Sequence, residues 1–177
     1  AGLVKRLYFW PVPDTSLVMG FPALAQPYLL NNDPTYRSLF LRGVRFGYAF
    51  ASLSPEIFTP FVRERACVYG IMGYMCLVGA EVSGEPGQKD EFIRKGVGLI
   101  EKADELCWDE SKGLYAYSRL PDWPQQTMMM ALVKAYRATG SRAYLDRALL
   151  VLDSMNRLCL DTRNGGYYGH PDLDTKG

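Results

Sequence analysis

A single histidine, His170, and four cysteines are all that this chain of 177 residues offers toward a Cys/His zinc site. With no Cys-x-x-Cys pair and one imidazole, no zinc set of ordinary spacing can be drawn. Cys67 and Cys76 fall in an apolar stretch, while Cys107 and Cys159 hold equivalent places in a repeat. All four therefore read as free, small core residues rather than a disulfide framework, which leans toward a reducing, cytoplasmic compartment. Charge of one sign is missing too. The formal net charge is +1, and the densest basic cluster, Arg63-Glu64-Arg65, is broken by an acid, so the chain lacks the electropositive face a nucleic-acid partner requires. The most apolar run, Ala66 to Ala80, contains no charge and spans roughly 15 residues. That is short of the ~20 a membrane helix needs and suits a buried helix, so no membrane partner is expected. No phosphate loop and no Ser-His-Asp order occur, so neither a metal nor a cofactor is expected.

What the chain does contain is repetition. Cys107-Trp108-Asp109, Gly113 and Tyr115 return as Cys159-Leu160-Asp161, Gly165 and Tyr167, 52 residues later. A longer match carries Pro13-Asp14, Ala23-Leu24, Tyr28, Tyr36 and Leu41 onto Pro121-Asp122, Ala131-Leu132, Tyr136, Tyr144 and Leu149, an offset of 108 without a gap. Self-similarity at a fixed period marks stacked supersecondary units, none of which can bury its apolar face alone.

The clearest unit runs from Gly113 to Cys159. Leu114-Tyr115-Ala116-Tyr117 is rich in strand formers, Asp122 is suited to cap a helix and Pro124 fits its first turn. The helix that follows is apolar on most sides, as a helix buried all round must be. Thr139-Gly140 stops it and Ser141 can cap the next. There Tyr144, Leu145, Ala148, Leu149, Leu152, Met155 and Leu158 recur at helical spacing opposite charged residues. Inner-type helices are expected near 14–30 and 61–81, and outer-type helices near 34–52 and 89–106. Short strands are expected only near Tyr115 and Tyr167.

The fold class is therefore all-α. It is an α/α toroid of about three helical hairpins forming an incomplete ring, with short β-hairpin turns and units over approximately 2–52, 53–107 and 108–160. Residues 161–177 begin a further unit. Half a ring leaves inner-helix flanks bare, so the remainder of a longer polypeptide or a homo-oligomeric partner is expected to complete it.

Trp123-Pro124-Gln125, Ala131 to Gly140, Tyr144-Leu145 and Asp161 to Tyr167 together resemble one hairpin of the six-hairpin glycosidase-like superfamily. The N-acylglucosamine 2-epimerase group, in which a Trp-Pro-Gln stretch leads an inner helix, and the toroids attached to thioredoxin-like domains are similar. The resemblance covers 108–170. It implies a carbohydrate-active or sugar-binding protein, glycosidase-like or epimerase-like. Those epimerases are associated with two histidines as proton donor and acceptor, whereas this sequence has one.

In such a ring the site lies at the inner-helix N-termini, where free N–H groups and the helix dipole favour anionic groups. Asp14, Glu64 and Asp122 are the acid/base candidates, since paired carboxylates are the minimum apparatus of glycoside hydrolysis. Trp123, Gln125, Arg63, Tyr115 and His170 are the substrate-binding candidates, with Trp10 near them. The plainer reading makes Asp14 and Asp122 helix caps, Asp109 and Asp161 turn residues and His170 a surface residue. On that reading the chain is a non-catalytic interaction module.

Overall fold

The computed structural model describes residues 33–52, 62–115, 122–163 and 165–167, with the side chains of residues 62–64, 122 and 123 outside that description. The inner helix expected near 14–30, Trp10, Asp14 and His170 lie outside the described residues.

Five helices and one two-stranded ladder make up the described chain, in the order α1 Pro34–Ala51, α2 Val62–Val82, α3 Pro86–Cys107, β1 Trp108–Asp109, β2 Leu114–Tyr115, α4 Asp122–Thr139 and α5 Arg142–Cys159. Each boundary has a local cause. Asp33 caps α1, its carboxylate accepting from the Thr35 N–H at 2.8 Å, and Pro34 fills the first turn, where a missing N–H costs nothing. Pro86 opens α3 in the same way. Gly140, at φ 74°, ends α4 in the left-handed conformation that glycine adopts without penalty. Ser141 sits at the N-cap of α5, but its hydroxyl makes no capping bond, contrary to the sequence expectation. Its N–H instead donates to Thr139 Oγ1, so α4 and α5 are joined by a turn that Thr139 holds.

Contacts between the helices fix their directions. Glycines at 70 and 73 let α2 approach α4 closely: a Cβ on Gly70 would stand 2.7 Å from Thr127 Oγ1, and one on Gly73 would stand 3.7 Å from the Ala131 methyl. Farther along, Lys134 of α4 pairs with Glu81 of α2 at 2.6 Å. Contacts that advance together along both chains mean that α2 and α4 run parallel. Gly73 lies against Gly96, and Gly79 against Phe92, so α3 runs back along α2. Arg37 Nε donates to the Val82 carbonyl at 2.7 Å, and Gly47 abuts Met72, so α1 is antiparallel to α2 as well.

The remaining helices form a second layer. Arg45 lies over the Phe92 ring and Lys95 over the Tyr48 ring, 6.0 and 4.7 Å from the centroids, aligning α1 with α3. Arg147 lies 4.0 Å over Trp108, aligning α5 with the end of α3. Such contacts contribute about 0.5–1 kcal/mol each at half-exposed positions. The described helices thus form an inner pair, α2 and α4, backed by three parallel outer helices, α1, α3 and α5, that run the other way.

Burial follows the layers. From Ala66 to Ala80 every residue of α2 except Tyr74 is buried, which explains why this stretch lacks both charge and helical periodicity. α4 buries Gln125, Thr127, Met128, Ala131, Leu132 and Ala135, whereas α5 buries only one stripe, Ala148, Val151, Ser154, Met155 and Cys159. The inner helix is the more buried of that pair, as its apolar pattern implied. No helix among the described residues is long and apolar enough to cross a membrane.

The repeat seen in the sequence is a repeat of turn chemistry. Gly113 N–H donates to the Asp109 carbonyl at 2.8 Å, and Gly165 N–H to the Asp161 carbonyl at 3.0 Å, with both glycines at positive φ of 68° and 79°. Trp108 pairs with Tyr115 in the β1–β2 ladder and Leu160 bridges to Tyr167, so the expected strands near Tyr115 and Tyr167 are a two-residue ladder and a single bridge. The Tyr115 hydroxyl donates to Asp104, and the Tyr167 hydroxyl to Asn156. These are again equivalent positions, 52 residues apart.

Candidate functional site

The starts of α2 and α4 lie at one end of the molecule, together with the C-terminus of α3 and the β1–β2 turn. Counting back from the Gly70–Thr127 contact puts residues 64 and 122 within about a turn of the same level on adjacent parallel helices. Glu64 and Asp122 therefore belong to the first turns of neighbouring helices at about one level, as do Arg63 and Trp123. Four backbone N–H groups at each start have no partner within the helix, and the aligned peptide dipoles leave partial positive charge there.

Behind these starts the chain builds a hydrogen-bonded aromatic mount. Gln125, fully buried, faces the end of β2 and pairs with it as a neighbouring strand would. The Tyr115 N–H donates to Gln125 Oε1 at 2.9 Å, and Gln125 Nε2 donates to the Tyr115 carbonyl at 2.6 Å. The Tyr115 ring is fully buried, meets Trp108 edge-on with centroids 5.0 Å apart and hydrogen-bonds Asp104. Burial, then the Asp104 hydrogen bond and charge, push the Tyr115 hydroxyl above its ordinary range, so it stays a donor. Trp108 is clasped from the other side by Arg147, and its indole N–H donates to Glu110.

Gln125 and Tyr115, read from sequence as sugar contacts, thus join two elements behind the helix starts, and the side-chain amide of Gln125 is occupied by backbone. Asp104, Trp108 and Arg147 belong to the same mount and were not among the sequence candidates. The signal available for them was the repeat itself, which carries Asp104 onto Asn156. Asp109 acts as a turn residue. Its carboxylate accepts from the Ser111 hydroxyl at 2.6 Å and from the Ser111 and Lys112 N–H groups, and the Ser111 bond is the main cause that holds it below the usual carboxylate range. Asp161 is buried and accepts from the Arg163 N–H at 2.9 Å.

The thiols show no sign of activation. All four cysteines are buried thiols. Burial pushes Cys76 up to about 12 and Cys107 up to about 11, the latter against the pull of Arg65, so both stay protonated at neutral pH. Among the described residues no group of three His, Cys, Asp or Glu side chains could hold a metal ion. The chain matches no known family, no curated protein and no solved structure.

Proposed function

We propose that this chain is part of an α/α toroid that binds and acts on a sugar at the inner-helix N-termini, with Asp14, Glu64 and Asp122 as its acid/base groups and Trp123 and Arg63 as its sugar contacts. The observation that carries the reading is the parallel packing of α2 on α4, through Gly70 and Thr127 and through Glu81 and Lys134. Parallel helices have their dipole N-termini at the same end, and Glu64 and Asp122 belong to those first turns. A general acid and a base or nucleophile must flank the scissile bond at roughly 5–9.5 Å, and neighbouring helix axes lie about 8–10 Å apart. The mount of Gln125, Tyr115, Asp104 and Trp108 ties β2 to the first turns of α4, and a catalytic carboxylate needs such a rigid support.

The test is Asp122→Asn, assayed by hydrolysis of p-nitrophenyl glycosides and by calorimetric titration with mono- and disaccharides. Asn caps helices about as well as Asp, so stability is retained. Turnover falls on the order of 100-fold or more if the carboxylate transfers a proton. A stable variant with unchanged turnover removes Asp122 from the chemistry. Failure of the unaltered chain to bind or cleave any of these sugars favours the interaction-module reading.

A further inference from the structure

The outer helices α1 and α5 are equivalent elements at the two ends of the described array. Each has 18 residues, and the 108-residue offset carries Pro34 onto Arg142 and Ala51 onto Cys159. Their differences in burial therefore show which face of each helix the described residues leave uncovered. On α1, Leu41 and Val44 are buried where that helix packs on α2; their counterparts on α5, Leu149 and Leu152, are 44% and 38% exposed. The α5 end has the seat for a following inner helix and no described helix in it.

The outer layer repeats the pattern. Inside the chain, Arg147 of α5 lies on Trp108 at the end of α3, and Tyr144 precedes it by one turn on the same helix. The 52-residue offset carries Asp104, Trp108 and Tyr115 onto Asn156, Leu160 and Tyr167, and of these Leu160 and Tyr167 are 41% and 48% exposed. The 108-residue offset carries Tyr36 and Leu39 of α1 onto Tyr144 and Arg147, and those two are 38% and 45% exposed. One end of the array thus presents the covering pair and the other end the surface that such a pair covers. Their chemistry changes together: the internal contact sets an arginine on a tryptophan, and the exposed edges set a leucine opposite a leucine.

We infer that a second copy of this chain docks head to tail, with Tyr36 and Leu39 of α1 seated on Leu160 and Tyr167 of the other copy, Leu39 taking on Leu160 the place that Arg147 takes on Trp108 within one chain. Two such joints, one at each end, close a two-copy ring. A net charge of +1 per chain opposes this association very little. The inference rests on the ring arrangement proposed above and not on its sugar chemistry, and its test reads assembly alone.

Light scattering after gel filtration at about 10–100 μM should give twice the chain mass. Leu39→Arg and Leu160→Glu, each at an exposed site, should leave helicity by circular dichroism unchanged. Each should weaken dimerisation at least 10-fold by placing a lone charge in an apolar contact. The Leu39→Arg/Leu160→Glu double variant should recover dimerisation, because each joint then pairs opposite charges. A monomer at 100 μM, growth beyond two copies, or a dimer indifferent to Leu39→Arg overturns the inference. So does a double variant no tighter than either single one, or a dimer broken by Leu160→Glu but not by Leu39→Arg, which would mean that α5 meets α5.

Discussion

The Gln125 side chain shows how one residue can read one way in sequence and act another way in the fold. A glutamine after Trp-Pro looks like a sugar ligand; once folded, both ends of its amide are bonded to the Tyr115 backbone. Gln125→Ala leaves a buried N–H and a buried carbonyl without partners, and should cost about 2–4 kcal/mol in denaturant unfolding. The neighbouring Tyr115 hydroxyl and the Cys76 and Cys107 thiols set the alkaline behaviour. Each is raised in the folded state, chiefly by burial, so the folded chain keeps protons that the unfolded chain loses above about pH 8.5 for thiols and about 10 for tyrosine. Their contribution is fully present below those values and is lost as pH rises. Urea midpoints should therefore fall between pH 8 and 10.5, and Tyr115→Phe should flatten the upper part of that decline. A midpoint constant over this range would contradict the burial of these groups.

At the scale of elements, helix positions and their inner or outer character were legible in the sequence because they depend on local signals. Asp33-Pro34 stands at the start of one helix, Gly140 ends another, and the charge-free run from Ala66 to Ala80 declares a helix covered on all sides, whereas α3 begins at Pro86, three residues before the expected 89. The role of individual glycines was not legible, because it depends on what lies across the interface. Gly70→Ala would drive a Cβ to within 2.8 Å of the Thr127 carbonyl carbon and force α2 from α4, with a cost of about 1–3 kcal/mol. Gly98→Ala, in the exposed middle of α3 with nothing within 4 Å, should stabilise by up to about 1 kcal/mol through helix propensity. Thermal melts of the two variants should shift in opposite directions. Equal shifts would mean that the α2–α4 approach is looser than described.

At the scale of the whole molecule, burial makes the thiols a probe of integrity. The native chain should react slowly with Ellman's reagent at pH 8, and all four thiols should titrate after denaturation without reductant. Fewer than four would reveal a disulfide and contradict the free-cysteine reading made from their placement in the repeat. By itself the sequence determined the all-α class, the approximate positions of the described helices, the 52-residue recurrence of the Asp–Gly turn and the burial of the run from Ala66 to Ala80. These follow from periodicity, capping and turn chemistry, which act over a few residues. Only the tertiary structure decided that α2 and α4 run parallel, that residues 64 and 122 fall at about one level, that Gln125 is held by a strand and that Tyr36, Leu39, Leu160 and Tyr167 stay exposed. Those facts depend on which surfaces meet, and contacts between residues some 10 to 60 positions apart leave no periodic trace along a single chain.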